Sequence, residues 1–104
     1  MNNNKQLEKE IERKLKILVE IKLGGCCLKW VCPGWGGVPD RILILPGGKV
    51  CFVELKRPKD GKAEPLQMWW KRRLEGFGFD VWHVHNMEEL QTLERLLMEE
   101  TNKK

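Results

Sequence analysis

The chain has 104 residues, 41% of them apolar, which is enough for one modest core and excludes the disordered and fibrous classes. No apolar run approaches the roughly 20 residues of a membrane span, and the Asn-rich start leads into a charged helical pattern unlike a signal peptide, so a cytoplasmic location is expected. Nineteen Lys and Arg against 15 Asp and Glu give a net charge of +4, a balance that gains meaning only from its placement.

Leu7, Ile11, Leu15, Leu18 and Ile21 or Lys22 recur at three- and four-residue steps, which predicts an amphipathic helix over residues 4–23, stopped by Gly24-Gly25. Residues 26–31 form a short strand candidate, followed by a loop with Pro33, Gly34, Gly36 and Gly37. Residues 41–45 and 50–55 are two β-branched, apolar runs joined by Pro46-Gly47-Gly48-Lys49, which predicts a hairpin covered on both faces. Pro65 opens a second helix to Gly76, with Leu66, Trp69 or Trp70, Leu74 and Phe77 as its expected buried stripe. A fourth strand over 79–84 and a last helix over 88–100, with Leu90, Leu93 and Leu97 on one side, complete an αβββαβα order in a single expected domain of residues 1–104.

The charge is concentrated. Residues 56–73 hold seven basic side chains against two acidic ones, whereas residues 86–104 hold three against five. The four cysteines, Cys26, Cys27, Cys32 and Cys51, contain no C-x-x-C pair and no histidine at a finger-like spacing, which argues against zinc and for reduced thiols, three of them in apolar runs.

Glu12, Asp40, Glu54 and Lys56 stand where burial alone would not choose them. Residues two apart on a strand share a face, so Glu54 and Lys56 lie about 6.5 Å apart along one side; taken alone, that pattern reads equally as an ion pair at a strand end. Folding the hairpin about Gly47 sets Asp40 opposite Glu54, each cross-strand pair summing to 94. Two carboxylates on one face repel unless a hard cation lies between them.

Gly37-Val38-Pro39-Asp40-Arg41, Val53-Glu54-Leu55-Lys56 and Pro65-Leu66-Gln67, preceded by Ile11-Glu12, Gly24-Gly25 and Lys29-Trp30, resemble the virus-type replication-repair nuclease (VRR-NUC) domain of the PD-(D/E)XK superfamily. The resemblance covers about residues 7–84, with the helix near 87–100 beyond it. It implies an α/β restriction-endonuclease-like fold, a mixed sheet flanked by helices. Asp40 and Glu54 are similar to the metal-binding carboxylates, Lys56 to the catalytic lysine, Gln67 to the glutamine of the following helix and Glu12 to the acid of the first helix, with Glu8 one turn earlier as its rival. The backbone carbonyl of Leu55 would be a further ligand. Family members often carry Ser where Cys32 stands and a polar or basic residue where Trp35 stands.

The resemblance implies a Mg²⁺- or Mn²⁺-dependent DNA endonuclease, acting as a homodimer on branched DNA such as Holliday junctions, in a host cytoplasm if phage-encoded. The rival from another class is a basic nucleic-acid-binding module without catalysis. Lys29, Arg41, Arg57, Lys59, Lys62 and Lys71 are candidate phosphate contacts, each equally readable as a surface charge. Trp35 would stack on an exposed base or wedge a junction, and reads equally as core or partner packing. Trp30, Trp69, Trp70 and Trp82 read as core, and His83 and His85 as structural residues away from the carboxylates.

Overall fold

A computed structural model describes residues 3–55 and 64–101, with side chains from residue 7 onward. Helix α1 (Asn3–Lys16) runs on into a π-helical stretch, Ile17–Lys22. It is followed by β1 (Cys26–Lys29), β2 (Arg41–Leu45), β3 (Lys49–Glu54), α2 (Pro65–Gly76), β4 (Asp80–His83) and α3 (Met87–Thr101). The order is the expected αβββαβα.

The Leu7, Ile11, Leu15, Leu18 spacing does what it predicts: Ile11, Leu15 and Leu18 are buried, and Leu7 packs against them. The helix does not stay α to its end. Leu23 N donates to Leu18 O at 3.0 Å, an i→i−5 step, and this wider turn lets consecutive Leu18 and Val19 both enter the core. Glu20 then reaches past the glycines, its Oε2 accepting from Cys27 N at 3.2 Å at the start of β1.

The sheet order is β1-β2-β3-β4, antiparallel except for the parallel β3–β4 pair. In the β2–β3 hairpin, Arg41 pairs with Val53, Leu43 with Cys51 and Leu45 with Lys49, each pair summing to 94 as anticipated. Gly47 and Gly48 turn the hairpin at φ +88° and +82°, a region that residues with a Cβ rarely adopt.

Alternation along the strands builds two cores. Leu43, Leu45, Cys51 and Val53 meet α1 and α3, where Leu90, Leu93 and Leu97 are buried as expected. Asn86 starts α3: its Oδ1 accepts from Glu89 N at 2.8 Å while Glu89 Oε1 accepts from His85 N at 2.8 Å, satisfying two otherwise orphaned donors. On the opposite face Phe52, Val81 and Leu74 are buried with Trp30, Ile42 and Trp70 against them.

This second face corrects the expected stripe of α2. Leu74 is buried and Trp70 half-buried, but Leu66, Trp69 and Phe77 face outward. The cause is tertiary. Trp70 Nε1 donates to Gly36 O at 3.0 Å, and Gly37, at φ +83°, lies so close to Leu66 that an added Cβ would come within 2.6 Å of its Cβ. The glycine loop therefore fixes the rotation of α2, turning the Trp70–Leu74 side inward. Of the cysteines, all free, Cys27 and Cys51 are buried, Cys32 is half-buried and Cys26 is exposed.

Candidate active site

The strand ends that carry Asp40 and Glu54 adjoin. Asp40 immediately precedes β2 and Glu54 closes β3; continuing the observed register and alternation puts both on the α2 side of the sheet. Asp40 is fixed from both flanks. Its main-chain oxygen accepts from Trp30 N at 2.8 Å, extending the β1–β2 ladder, and its Oδ2 accepts from Leu55 N at 2.8 Å. Buried Pro39 precedes it and limits the backbone further. Glu54 is 3% exposed, and its main-chain oxygen accepts from Val84 N at 2.9 Å.

On the α1 side, Arg41 Nη2 lies 2.8 Å from Glu12 Oε2, the arginine side chain being 10% exposed and the glutamate 43%. Arg41, expected among the phosphate contacts, is thus a buried partner of the helix acid, because its β2 position points it under α1. A cleft of about 620 Å³ opens at this end of the sheet, walled by Glu8, Glu12, Lys29, Asp40, Arg41 and Leu55. Glu8 and Glu12 both reach it, as expected for one helical face. Lys9 and Trp30 also line it. Sequence reasoning passed over Lys9, although it adjoins Glu8 on the helix turn below Glu12. Glu54 does not line this cleft.

Other expected residues lie elsewhere. Gln67 belongs to a capping box at the start of α2, its Oε1 accepting from Glu64 N at 3.2 Å. Lys71 pairs with Glu75 at 2.6 Å and lines a separate depression with Asp80 and His83. Lys29 is exposed, and Trp35, 60% exposed, sets its ring 5.8 Å from Trp70. Lys56, Arg57, Lys59 and Lys62 lie outside the described residues. The histidine expectation is corrected in one respect. Because β4 lies parallel to β3, His83 is the register partner of Glu54 and is not remote from the carboxylates. Burial, with His85 and Lys71 nearby, holds its imidazole below the usual range.

The cleft supplies oxygen donors, the carboxylates of Asp40, Glu12 and Glu8 and the main chain of Leu55, while buried Glu54 stands on the adjoining strand end beside His83. Such donors suit a hard cation. Thiols are not competitors, since burial pushes Cys27 up to about 11 and Cys51 up to about 12. Among the described residues no three His, Cys, Asp or Glu side chains are grouped so that they could hold a metal ion. Two carboxylates and a carbonyl are a sufficient protein share for a hard divalent cation that keeps several of its waters.

The chain is 31% identical to a solved structure described as a VRR_NUC domain, with a TM-score of 0.74 over 83% of this chain and 91% of that one. It is also 45% identical over 74 residues to "Putative nuclease p44" of Acyrthosiphon pisum secondary endosymbiont phage 1, covering 71% of this chain and 77% of that protein. The chain belongs to the VRR-NUC family. No family model matches the sequence. In this VRR-NUC chain the four-stranded mixed sheet and its three helices have the PD-(D/E)XK-like architecture, with Asp40 and Glu54 at the open end of the hairpin. Among the described residues no helix is long and apolar enough to cross a membrane.

Proposed function

We propose that this VRR-NUC chain is a Mg²⁺- or Mn²⁺-dependent DNA endonuclease that works as a homodimer on branched DNA such as four-way junctions, in the cytoplasm of a phage host. The observation that carries the reading is the hairpin register, which brings Asp40 beside Glu54 while Leu55 N holds the Asp40 carboxylate in place. Asp40, Glu54 and the Leu55 carbonyl would hold the cation, with Glu12 or its neighbour Glu8 completing the site from α1. When bound, the cation offsets phosphate charge and lowers the pKa of the attacking water.

The chain's own groups do the remaining work. Asp40 enters with one oxygen already oriented, so little reorganisation is needed at the moment of reaction. Arg41 is a positioning residue: it fixes Glu12 at the cleft edge through a 2.8 Å contact. Lys29, on the cleft wall, meets a backbone phosphate without reading the base. Lys56, assigned by sequence alone, either takes a proton from water or offsets charge on the phosphate. Arg57, Lys59 and Lys62, assigned by sequence alone, would extend the phosphate contacts, and Gln67 would act from the N-terminus of α2, which favours anions. A single catalytic set cuts one strand, so symmetric cutting of a junction calls for two copies.

The test is cleavage of supercoiled plasmid and of a synthetic four-way junction with Mg²⁺, Mn²⁺ or EDTA, beside Asp40→Asn and Lys56→Ala. Metal-dependent nicking is expected, falling about a thousandfold in Asp40→Asn, the scale on which lost metal catalysis operates. Asparagine still offers Leu55 N an oxygen acceptor, so this variant should stay folded. Binding of DNA without cleavage by the wild-type protein in any metal would instead make the chain a binding module. Sedimentation tests the dimer.

A further inference from the structure

We propose that the outward face of α2, together with Trp35, is a stacking platform for unpaired nucleobases on the strand that leaves the cleft; this rests on the nuclease reading above. Leu66, Trp69 and Arg73 recur at three- and four-residue steps on α2, which places them on one face, and Phe77, the C-cap four residues after Arg73, continues it. Leu66 is 54% exposed, Trp69 46%, Phe77 63% and Trp35 60%. Large apolar side chains exposed at neighbouring positions are the kind of surface that marks an interaction site.

The platform is built to be rigid. Trp70 is its hub, tied to the glycine loop through Gly36 O. Trp35 and Trp69 meet it with centroids 5.8 and 5.0 Å away and ring planes at 84° and 89°. Two rings that meet edge to face cannot cover both faces of either, so each outer indole keeps at least one face that Trp70 leaves uncovered. The same hub leads back to the cleft, because Trp30, on the cleft wall, lies 6.1 Å from Trp70.

Charge selects the occupant. The Arg73 guanidinium lies over the rings of both Trp69 and Phe77, at 5.9 and 5.1 Å. Arg72 beside it is exposed, while Lys71 and Glu75 neutralise each other. The stripe therefore joins aromatic faces to a cation and contains no acid, the combination that suits bases stacked on rings and phosphates passing alongside. A second copy docked on this face about a two-fold axis would desolvate Arg73 with no acid in the stripe to pair it.

The experiment is fluorescence anisotropy in EDTA with three labelled probes: a single-stranded oligonucleotide, the same strand with abasic sites, and a fully paired duplex. Trp69→Ala and Phe77→Ala should each weaken binding of the single strand about tenfold, the scale of one lost base stack. Binding of the abasic strand and the duplex should change less than about twofold, and Trp69→Phe should retain most of the single-strand affinity. Equal losses on the abasic strand, or no loss on any probe, would overturn the proposal. So would a variant that halves the sedimenting mass while leaving single-strand affinity intact, which would make the stripe a subunit contact. Far-ultraviolet circular dichroism checks that each variant is folded, and Phe77→Ala alone decides the matter if Trp69→Ala unfolds. Metal-dependent cleavage of duplex plasmid by the wild type keeps the nuclease reading separate, since it stands or falls independently of these affinities.

Discussion

The Arg41–Glu12 pair should respond asymmetrically to removal of its two partners. Truncating one side of a fully buried pair costs about 3–5 kcal/mol, and an exposed pair contributes about 0–1 kcal/mol. Here the arginine side chain is 10% exposed and the glutamate 43%. Glu12→Ala leaves a largely buried guanidinium that water can reach only from the cleft and whose Nε already has no hydrogen-bond partner among the described residues. About 2–3 kcal/mol should be lost. Arg41→Met leaves only a carboxylate that water can reach and fills the buried space with an apolar chain, so the cost should be about 1 kcal/mol or less. With an m-value of about 1.5 kcal/mol/M, the urea midpoint should fall by about 1.3–2 M for Glu12→Ala and by less than about 1 M for Arg41→Met. The double variant should be more stable than Glu12→Ala alone, because the stranded charge is gone. Measurements in EDTA keep cation binding out of the comparison. Equal losses, or a larger loss for Arg41→Met, would refute the reasoning.

Gly37→Ala combines a left-handed φ of +83° with a Cβ 2.6 Å from the Leu66 Cβ and 2.7 Å from its carbonyl carbon, and should cost about 3 kcal/mol or more. Gly34→Ala, at φ +85° in open space, carries only the conformational part, about 1–2 kcal/mol, and thermal melts of the two isolate the steric contribution. Thiol labelling at pH 8, read by mass spectrometry, should modify exposed Cys26 in the native state, while Cys27 and Cys51 react only on unfolding. With pKa values near 11 and 12, their thiolate fractions are about one in a thousand and one in ten thousand at that pH, before burial is counted. His83 has a depressed native pKa, so the unfolded chain takes up its proton first as pH falls. Its contribution to stability is present above the unfolded value near 6.5 and is lost as pH falls through the lower native value. Urea titrations from pH 7.5 to 5 should show a shallower loss in His83→Gln than in the wild type, and identical slopes would contradict the assignment.

Where local pattern decides structure, the sequence is readable. The first helix, the hairpin and its register follow from three- and four-residue apolar steps, from paired β-branched runs and from glycines at the turn, and the adjacency of Asp40 and Glu54 follows from the register. Long-range choices decide the remainder. Helix α2 carries large apolar residues on two sides, and the Trp70–Gly36 tie, the close approach of Gly37 to Leu66 and the packing of Leu74 on Phe52 and Val81 favour one of them for burial. Arg41 looks like a phosphate contact in a linear reading, because its partner Glu12 is supplied by a helix packed across the sheet. His83 reads as distant from the carboxylates until β4 is known to lie against β3. Gln67 follows the family motif, but its neighbour Glu64 engages it in a helix cap, a competition that motif spacing does not reveal.

The π-helical stretch from Ile17 to Lys22 also determines where this chain can change length. An i→i−5 turn accommodates one residue more than the α-helix around it, so a single deletion inside that window can be absorbed by tightening to i→i−4 spacing. The same deletion between Ile11 and Leu15 would rotate the buried face off the sheet by about 100° and carry Glu8 and Glu12 away from the cleft. Length variation among related chains should therefore gather in the last turns of the first helix, downstream of both acids, where it leaves their position over the hairpin unchanged.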